Sequence, residues 1–147
     1  MVQRCNVLGV MQSATYMQEA VATIGEWIEN DLRHYVCVTS VHGIIESQFD
    51  QSLRDIHNRA GLVTPDGMPL VWFMRSEGFK QADRVYGPDL MLAVLADGEA
   101  RGYRHYLYGS SPEALDGLQA NIRTQFPQAQ IVGAHSPPFR ALTTSHF

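Results

Sequence analysis

Leu62-Val63-Thr64-Pro65-Asp66-Gly67-Met68-Pro69-Leu70 is the stretch whose reading decides the fold. Leu62 to Thr64 is apolar and β-branched, which suits a brief strand. Pro65 stops that strand, and Asp66-Gly67 forms a turn. Pro69 then begins a short helix that Gly78 ends. A strand passing through a turn into a helix is the building block of an α/β sheet, and such sheets gather their chemistry at that junction. Further on, Arg84-Val85-Tyr86-Gly87-Pro88-Asp89-Leu90 opens another helix. Proline suits its first turn, and an acidic residue complements the positive end of its dipole.

Outward from this centre, strand and helix patterns alternate. Val7 to Val10 reads as a first strand, and Thr15-Tyr16-Met17-Gln18 as a capping box. The helix after it carries Met17, Ala20, Val21, Ile24 and Ile28 on one apolar face. Tyr35 to Thr39 reads as a buried strand. One helix follows, with Ile45, Phe49, Leu53 and Ile56 inward, and ends near Gly61. After Pro88 the expected buried residues are Leu90, Met91, Val94 and Leu95. Arg104 to Tyr108 alternates as a strand, and Gly109-Ser110-Ser111-Pro112-Glu113 turns into a helix with two competing N-cap serines. That helix turns Leu115, Leu118, Ile122 and Phe126 inward, and Gln130 to Ala134 is the last strand. The pattern predicts an α/β fold, a Rossmann-like, mostly parallel sheet flanked by helices.

A chain of 147 residues with 45% apolar content encloses one sizeable core, so one domain is expected over residues 1–140, with a polar tail at 141–147. A final strand without a covering helix leaves sheet area exposed and favours a homo-oligomer. Net charge −4 and a pI near 5.8 give no basic field for nucleic acid, so no nucleic-acid partner is expected. Cys5 and Cys37 sit in apolar runs and read as two buried thiols in a reducing compartment. The start lacks a secretory pattern, and no apolar run is long enough for a membrane span, so a cytoplasmic protein is expected.

Asp66 follows a strand and precedes a helix, a place where a carboxylate can take a proton from a nucleophilic hydroxyl. Its position alone suits a helix cap or turn at least as well. Thr39 and Ser40 close the preceding strand and face the same crevice, although Ser40 also suits an N-cap. His42 beside them can act as a base or donor, or be merely structural. Arg84 suits a phosphate or carboxylate, or an ion pair with Asp83 or Asp89. The Gly109-Ser110-Ser111 turn outlines an anion cradle. Tyr103, Tyr106 and Tyr108 suit stacking on a base or sugar, or a core or interface. The six histidines show no zinc spacing, so no metal is expected. Neither a P-loop nor G-x-G-x-x-G is present.

The ordered set Val38-Thr39, Thr64-Pro65-Asp66-Gly67, Arg84 to Leu90, Tyr108-Gly109-Ser110-Ser111, Ile131-Val132-Gly133 and Pro137-Pro138-Phe139-Arg140 resembles the WecG/TagA/CpsF family of bacterial glycosyltransferases. The resemblance spans nearly the whole chain. It implies inverting transfer of a hexose or N-acetylmannosamine-type sugar from a UDP-sugar to a lipid-diphosphate-linked saccharide acceptor, in surface polysaccharide biosynthesis. That work would take place at the inner face of the cytoplasmic membrane. It implies Asp66 as general base and no cofactor, the UDP-sugar being a substrate. Thr39, Ser40, His42, Gly67, Arg84, Gly87, Asp89, Gly109 and Ser110 are the corresponding candidates for substrate binding, with Arg84 and the helix start at Pro88 stabilising the leaving group without a metal. The sequence departs from the family at Val41, where an asparagine is common, and after Arg140, where the family continues into a further strand and a basic region. The C-terminal departure reads as a shortened copy. A noncatalytic α/β module binding a nucleotide or a protein is the competing reading.

Overall fold

The computed structural model describes residues 2–138, so Phe139, Arg140 and the tail expected at 141–147 lie outside the described residues. The chain divides into two compact units, the first reaching Val94 and the second starting at Leu95. It is α/β, with two parallel strand pairs and one antiparallel pair.

The first unit opens with a hairpin, β1 (Arg4–Val7) and β2 (Val10–Ser13), in place of the expected single strand from Val7 to Val10. Leu8 and Gly9 both take positive φ, 51° and 83°, as a two-residue type I′ turn demands. The Asn6 side chain fixes the turn by accepting the Gly9 N–H at 2.7 Å. Helix α1 (Met17–Glu29) follows, but not from a capping box. The Thr15 hydroxyl donates to the Glu19 carboxylate at 2.7 Å, and the N-cap is Tyr16 without a side-chain bond. Ala20 is buried on its inner face, whereas Ile28 is exposed.

Strand β3 (Val36–Thr39) pairs in parallel with β4 (Leu62–Pro65), with Val36 opposite Leu62 and Thr39 opposite Pro65. Neighbouring residues point to opposite faces, so each face has its own core. Val63 and Cys37 join Val10, Ile44, Leu70 and Met74, while Leu62 and Val36 join Ala20, Val85 and Leu90. β2 lies alongside β4, where the Val63 N–H donates to Ser13 Oγ at 2.9 Å.

The single helix expected between β3 and β4 is two, α2 (Val41–Phe49) and α3 (Gln51–Arg59). Asp50 is extended at the break, and its side chain caps α3 by accepting the Leu53 N–H at 3.0 Å. The inward face also differs from expectation. Ile44, Ser47 and His57 are buried, while Ile45, Ile56 and Phe49 are exposed, Phe49 at 89%. After β4 come α4 (Met68–Ser76) and α5 (Gly87–Arg101), the latter running across the boundary between units. Leu90 and Leu95 are buried on α5, but Met91 is exposed.

In the second unit β5 (Arg104–Tyr108) pairs in parallel with β6 (Gln130–His135) around α6 (Pro112–Gln125). The register shifts between His105 and Tyr106, leaving Val132 as the extra residue. Gly133 accommodates the Tyr106 ring, because a Cβ there would stand 2.5 Å from its Cε2. Of the two competing serines Ser111 is the cap, its Oγ accepting the Ala114 N–H at 3.2 Å.

Candidate functional site

Asp66 is the first residue beyond β4, and backbone bonds define its place on both sides. Its N–H donates to the Thr39 carbonyl at 3.1 Å, continuing the β3–β4 ladder by one residue. The segment leading to α5 lies along the same end, with the Asp83 N–H on the Thr15 carbonyl and the Val85 N–H on the Pro65 carbonyl, both at 2.9 Å. Arg84 is thereby delivered to Asp66, and its Nε donates to the Asp66 carbonyl at 2.5 Å. Gly87 begins α5 against Val38, where an added Cβ would meet Val38 Cγ1 at 3.6 Å.

Three polar atoms at this end of β3 and β4 are buried without a partner among the described residues: Asp66 Oδ1, Thr39 Oγ1 and Thr64 Oγ1. Buried polar groups are nearly always paired, because an unmade hydrogen bond costs roughly 1–3 kcal/mol. Paired residues share a face, so Thr39 lies on the Pro65 face of the strand pair and Thr64 on the opposite, Val38 face. Thr64, fully buried, lies outside the residues that sequence reading selects. Its place in the Thr64-Pro65-Asp66-Gly67 stretch that carries the family resemblance is its signal in the sequence.

Other candidates sit less centrally. Ser40 is the N-cap of α2 without a side-chain cap bond. His42 stands exposed on α2 with Nε2 3.2 Å from the Glu46 carboxylate. Gly67 is the N-cap of α4, and Asp89 lies exposed in the first turn of α5. Asp83 pairs with Arg75 at 3.3 Å, and Arg84 stacks on Tyr86 with Cζ 4.5 Å from the ring centroid.

Gly109 and Ser110 belong to the second unit. Both have positive φ, 117° and 62°, and the Ser136 hydroxyl donates to the Ser110 carbonyl at 2.6 Å. The start of α6 is served by its own chain. Hydrogen bonds from the Glu113 backbone N–H and from Ser111 hold the Glu113 carboxyl below its ordinary pKa. An anion arriving there would meet that carboxylate. Tyr103 is buried, while Tyr106 and Tyr108 are exposed, Tyr108 lying 5.8 Å from the His135 ring.

A cavity of about 620 Å³ lies at the opposite ends of β3 and β4, beside Trp27, His34 and Gly61. Of its two arginines, Arg4 donates to the Ala60 and Gly61 carbonyls, and Arg59 donates through Nε to the Asp55 carbonyl at 3.3 Å. Burial raises the pKa of the Cys5 and Cys37 thiols, with the Glu77 charge adding to the effect on Cys5, so neither is primed as a nucleophile. Among the described residues no three His, Cys, Asp or Glu side chains gather to hold a metal ion. No helix there is long and apolar enough to cross a membrane.

A parallel strand pair with an aspartate at its carboxyl end and an arginine on that residue's carbonyl is the arrangement of an α/β protein whose polar groups gather where such sheets carry their chemistry. The chain matches the glycosyl transferase WecG/TagA/CpsF family over residues 5–146 and belongs to it. It is 24% identical over 84 residues to the N-acetylglucosaminyldiphosphoundecaprenol N-acetyl-beta-D-mannosaminyltransferase of Bacillus subtilis (strain 168). That match takes in 57% of this chain and 33% of the relative, so the chain spans about a third of the curated relative's length.

Proposed function

We propose that this chain carries the acceptor-activating part of a glycosyltransferase of surface polysaccharide biosynthesis. The donor is a UDP-sugar, with a hexose or N-acetylmannosamine-type sugar, and the acceptor is a saccharide on a lipid diphosphate, the kind of acceptor that the relative's name describes. Asp66 takes the proton of the acceptor hydroxyl. The freed oxygen attacks the anomeric carbon from the face opposite the diphosphate, the bond from that carbon to the phosphate oxygen breaks, and UDP leaves with the electron pair. Configuration inverts. Arg84 carries the positive charge that meets the developing negative charge on UDP. Thr64, on the face of Val38, offers a hydroxyl to the sugar or acceptor, Thr39 offers one from the opposite face, and Gly87 leaves the start of α5 open beside Val38. Asp89, an acceptor in that first turn, suits a hydroxyl rather than a phosphate.

The observation that supports this reading best is the buried, unpartnered Asp66 Oδ1 next to Thr39, with Arg84 bonded to the same residue's carbonyl. A well-placed general base contributes roughly 10²–10⁴-fold to rate. Asp66→Asn should therefore lower sugar transfer at least about 100-fold, with UDP binding little changed. Equal transfer by the native chain and Asp66→Asn would refute the base. Saturable UDP binding without transfer by either chain would instead support a noncatalytic nucleotide-binding module.

A further inference from the structure

We propose that Tyr86 is a positioning residue for Arg84: its ring holds the guanidinium so that both terminal nitrogens face outward, ready to clasp a diphosphate as a pair. The proposal rests on the sugar-nucleotide reading for the identity of the ligand, but not for the geometry.

Arg84, Val85 and Tyr86 run in sequence along the end of β4. Val85 is fully buried among Leu62, Leu90 and Ala20, and its N–H is bonded to the Pro65 carbonyl at 2.9 Å. With the middle residue directed inward, the side chains on either side of it are free to meet over the surface. They do, the Arg84 Cζ standing 4.5 Å from the Tyr86 ring centroid, within the range of a cation–π contact. The second tether is the bond from Arg84 Nε to the Asp66 carbonyl. Tyr86 is itself held at the root of α5, where its carbonyl accepts the Leu90 N–H at 2.9 Å.

These two tethers leave a particular edge exposed. Among the described residues Arg84 makes no hydrogen bond through Nη1 or Nη2 and no ion pair, although the residue is exposed and Asp83 is adjacent. The Asp83 carboxylate is bonded instead to the Arg84 backbone N–H and to Arg75. A guanidinium with Nε occupied and both Nη groups free presents the flat, two-pronged edge that pairs with two phosphate oxygens. An unheld arginine would lose rotamer freedom on binding, and the stacked one has already lost it.

The test compares Tyr86→Phe, which keeps the ring face, with Tyr86→Leu and Tyr86→Gln, which remove it. The Arg84 Nε–H proton is followed by NMR in the ligand-free chain, and UDP is titrated separately. Tyr86→Leu should collapse the slow exchange of the Arg84 Nε–H and weaken UDP binding about two- to fivefold, the range of an exposed cation–π contact. Tyr86→Phe should keep both properties. In an Arg84→Ala background, Tyr86→Leu should cost nothing further. Tyr86→Gln serves if the leucine variant fails to fold. An unchanged Nε–H signal and affinity in the ring-less variants, or a phenylalanine variant as impaired as they are, would overturn the proposal. If no form binds UDP while the Nε–H still responds to loss of the ring, the positioning role stands and the sugar-nucleotide reading falls.

Discussion

The two units hold their strands differently. In the first, β4 is enclosed on both faces, with Leu62, Val63 and Thr64 all fully buried, although its partner β3 leaves Val38 exposed. In the second, β5 alternates between half-buried and exposed residues, with Tyr106 and Tyr108 near 60% exposure. A strand enclosed on both sides fixes the direction of the residue that follows it, and sites that need sub-ångström placement belong on such elements. The first unit can therefore hold Asp66 Oδ1 buried and unpaired. The turn at Gly109-Ser110, on the more open pair, is closed by its own Ser136 and Glu113.

Two glycines break or sharpen this contrast. A Cβ at Gly61 would stand 2.6 Å from Trp27 Cη2 and 2.9 Å from His34 Cβ, while one at Gly133 would stand 2.5 Å from Tyr106 Cε2. The clashes are similar in size, but the neighbours differ. Trp27 packs against the core around Leu62, whereas the Tyr106 ring is 60% exposed and free to swing. Gly61→Ala should cost about 1–3 kcal/mol, and Gly133→Ala less than about 1 kcal/mol. Both tryptophans, Trp27 and Trp72, lie in the first unit, so denaturant titration followed by fluorescence reports that unit and far-UV dichroism reports both. Equal costs would break the comparison.

A smaller effect comes from two histidines, one in each unit. Burial pushes the His57 and His105 imidazoles below their ordinary pKa, partly offset at His57 by a hydrogen bond with the Leu53 backbone. His57 Nδ1 lies 3.1 Å from Ser47 Oγ, but His105 Nε2 is buried without a partner among the described residues. With the folded pKa depressed, the unfolded chain takes the proton first. The two histidines therefore leave stability unaffected above about pH 6.5 and reduce it as pH falls below that value. Urea midpoints between pH 7 and 5 should decline, and His105→Leu should lessen the decline. A midpoint that rises on acidification would contradict the assignment.

Much of this architecture is legible in the order of residues alone. β5, α6 and β6 follow from alternation, from Pro112 at a helix start and from the serine caps. The junctions after β3 and β4 point to Thr39 and Asp66, and the approach to Pro88 points to Arg84 and Gly87. The hairpin is hidden because Leu8, not asparagine or glycine, occupies a left-handed position in its turn. The α2–α3 face is obscured because Ile44 and Ile45 are equally apolar and because Asp50 restarts the helical period. Asp50 does carry a cap signal, but the apolar spacing from Ile45 to Ile56 runs straight across it. Thr64 and Tyr86 fall in the stretches that carry the family resemblance, but their roles are beyond sequence reasoning, since an unpaired hydroxyl and a stacked ring exist only relative to their neighbours in space.

The central claim is that the residues around Asp66, and not the cavity of about 620 Å³ at the other ends of the strands, receive the nucleotide. Adding UDP to the isotope-labelled chain and following backbone amide signals tests it most directly. Shifts should concentrate at Thr39, Asp66, Gly67, Arg84 and Gly87. Shifts gathered instead at Trp27, His34 and Gly61, or none at saturating UDP, would contradict it.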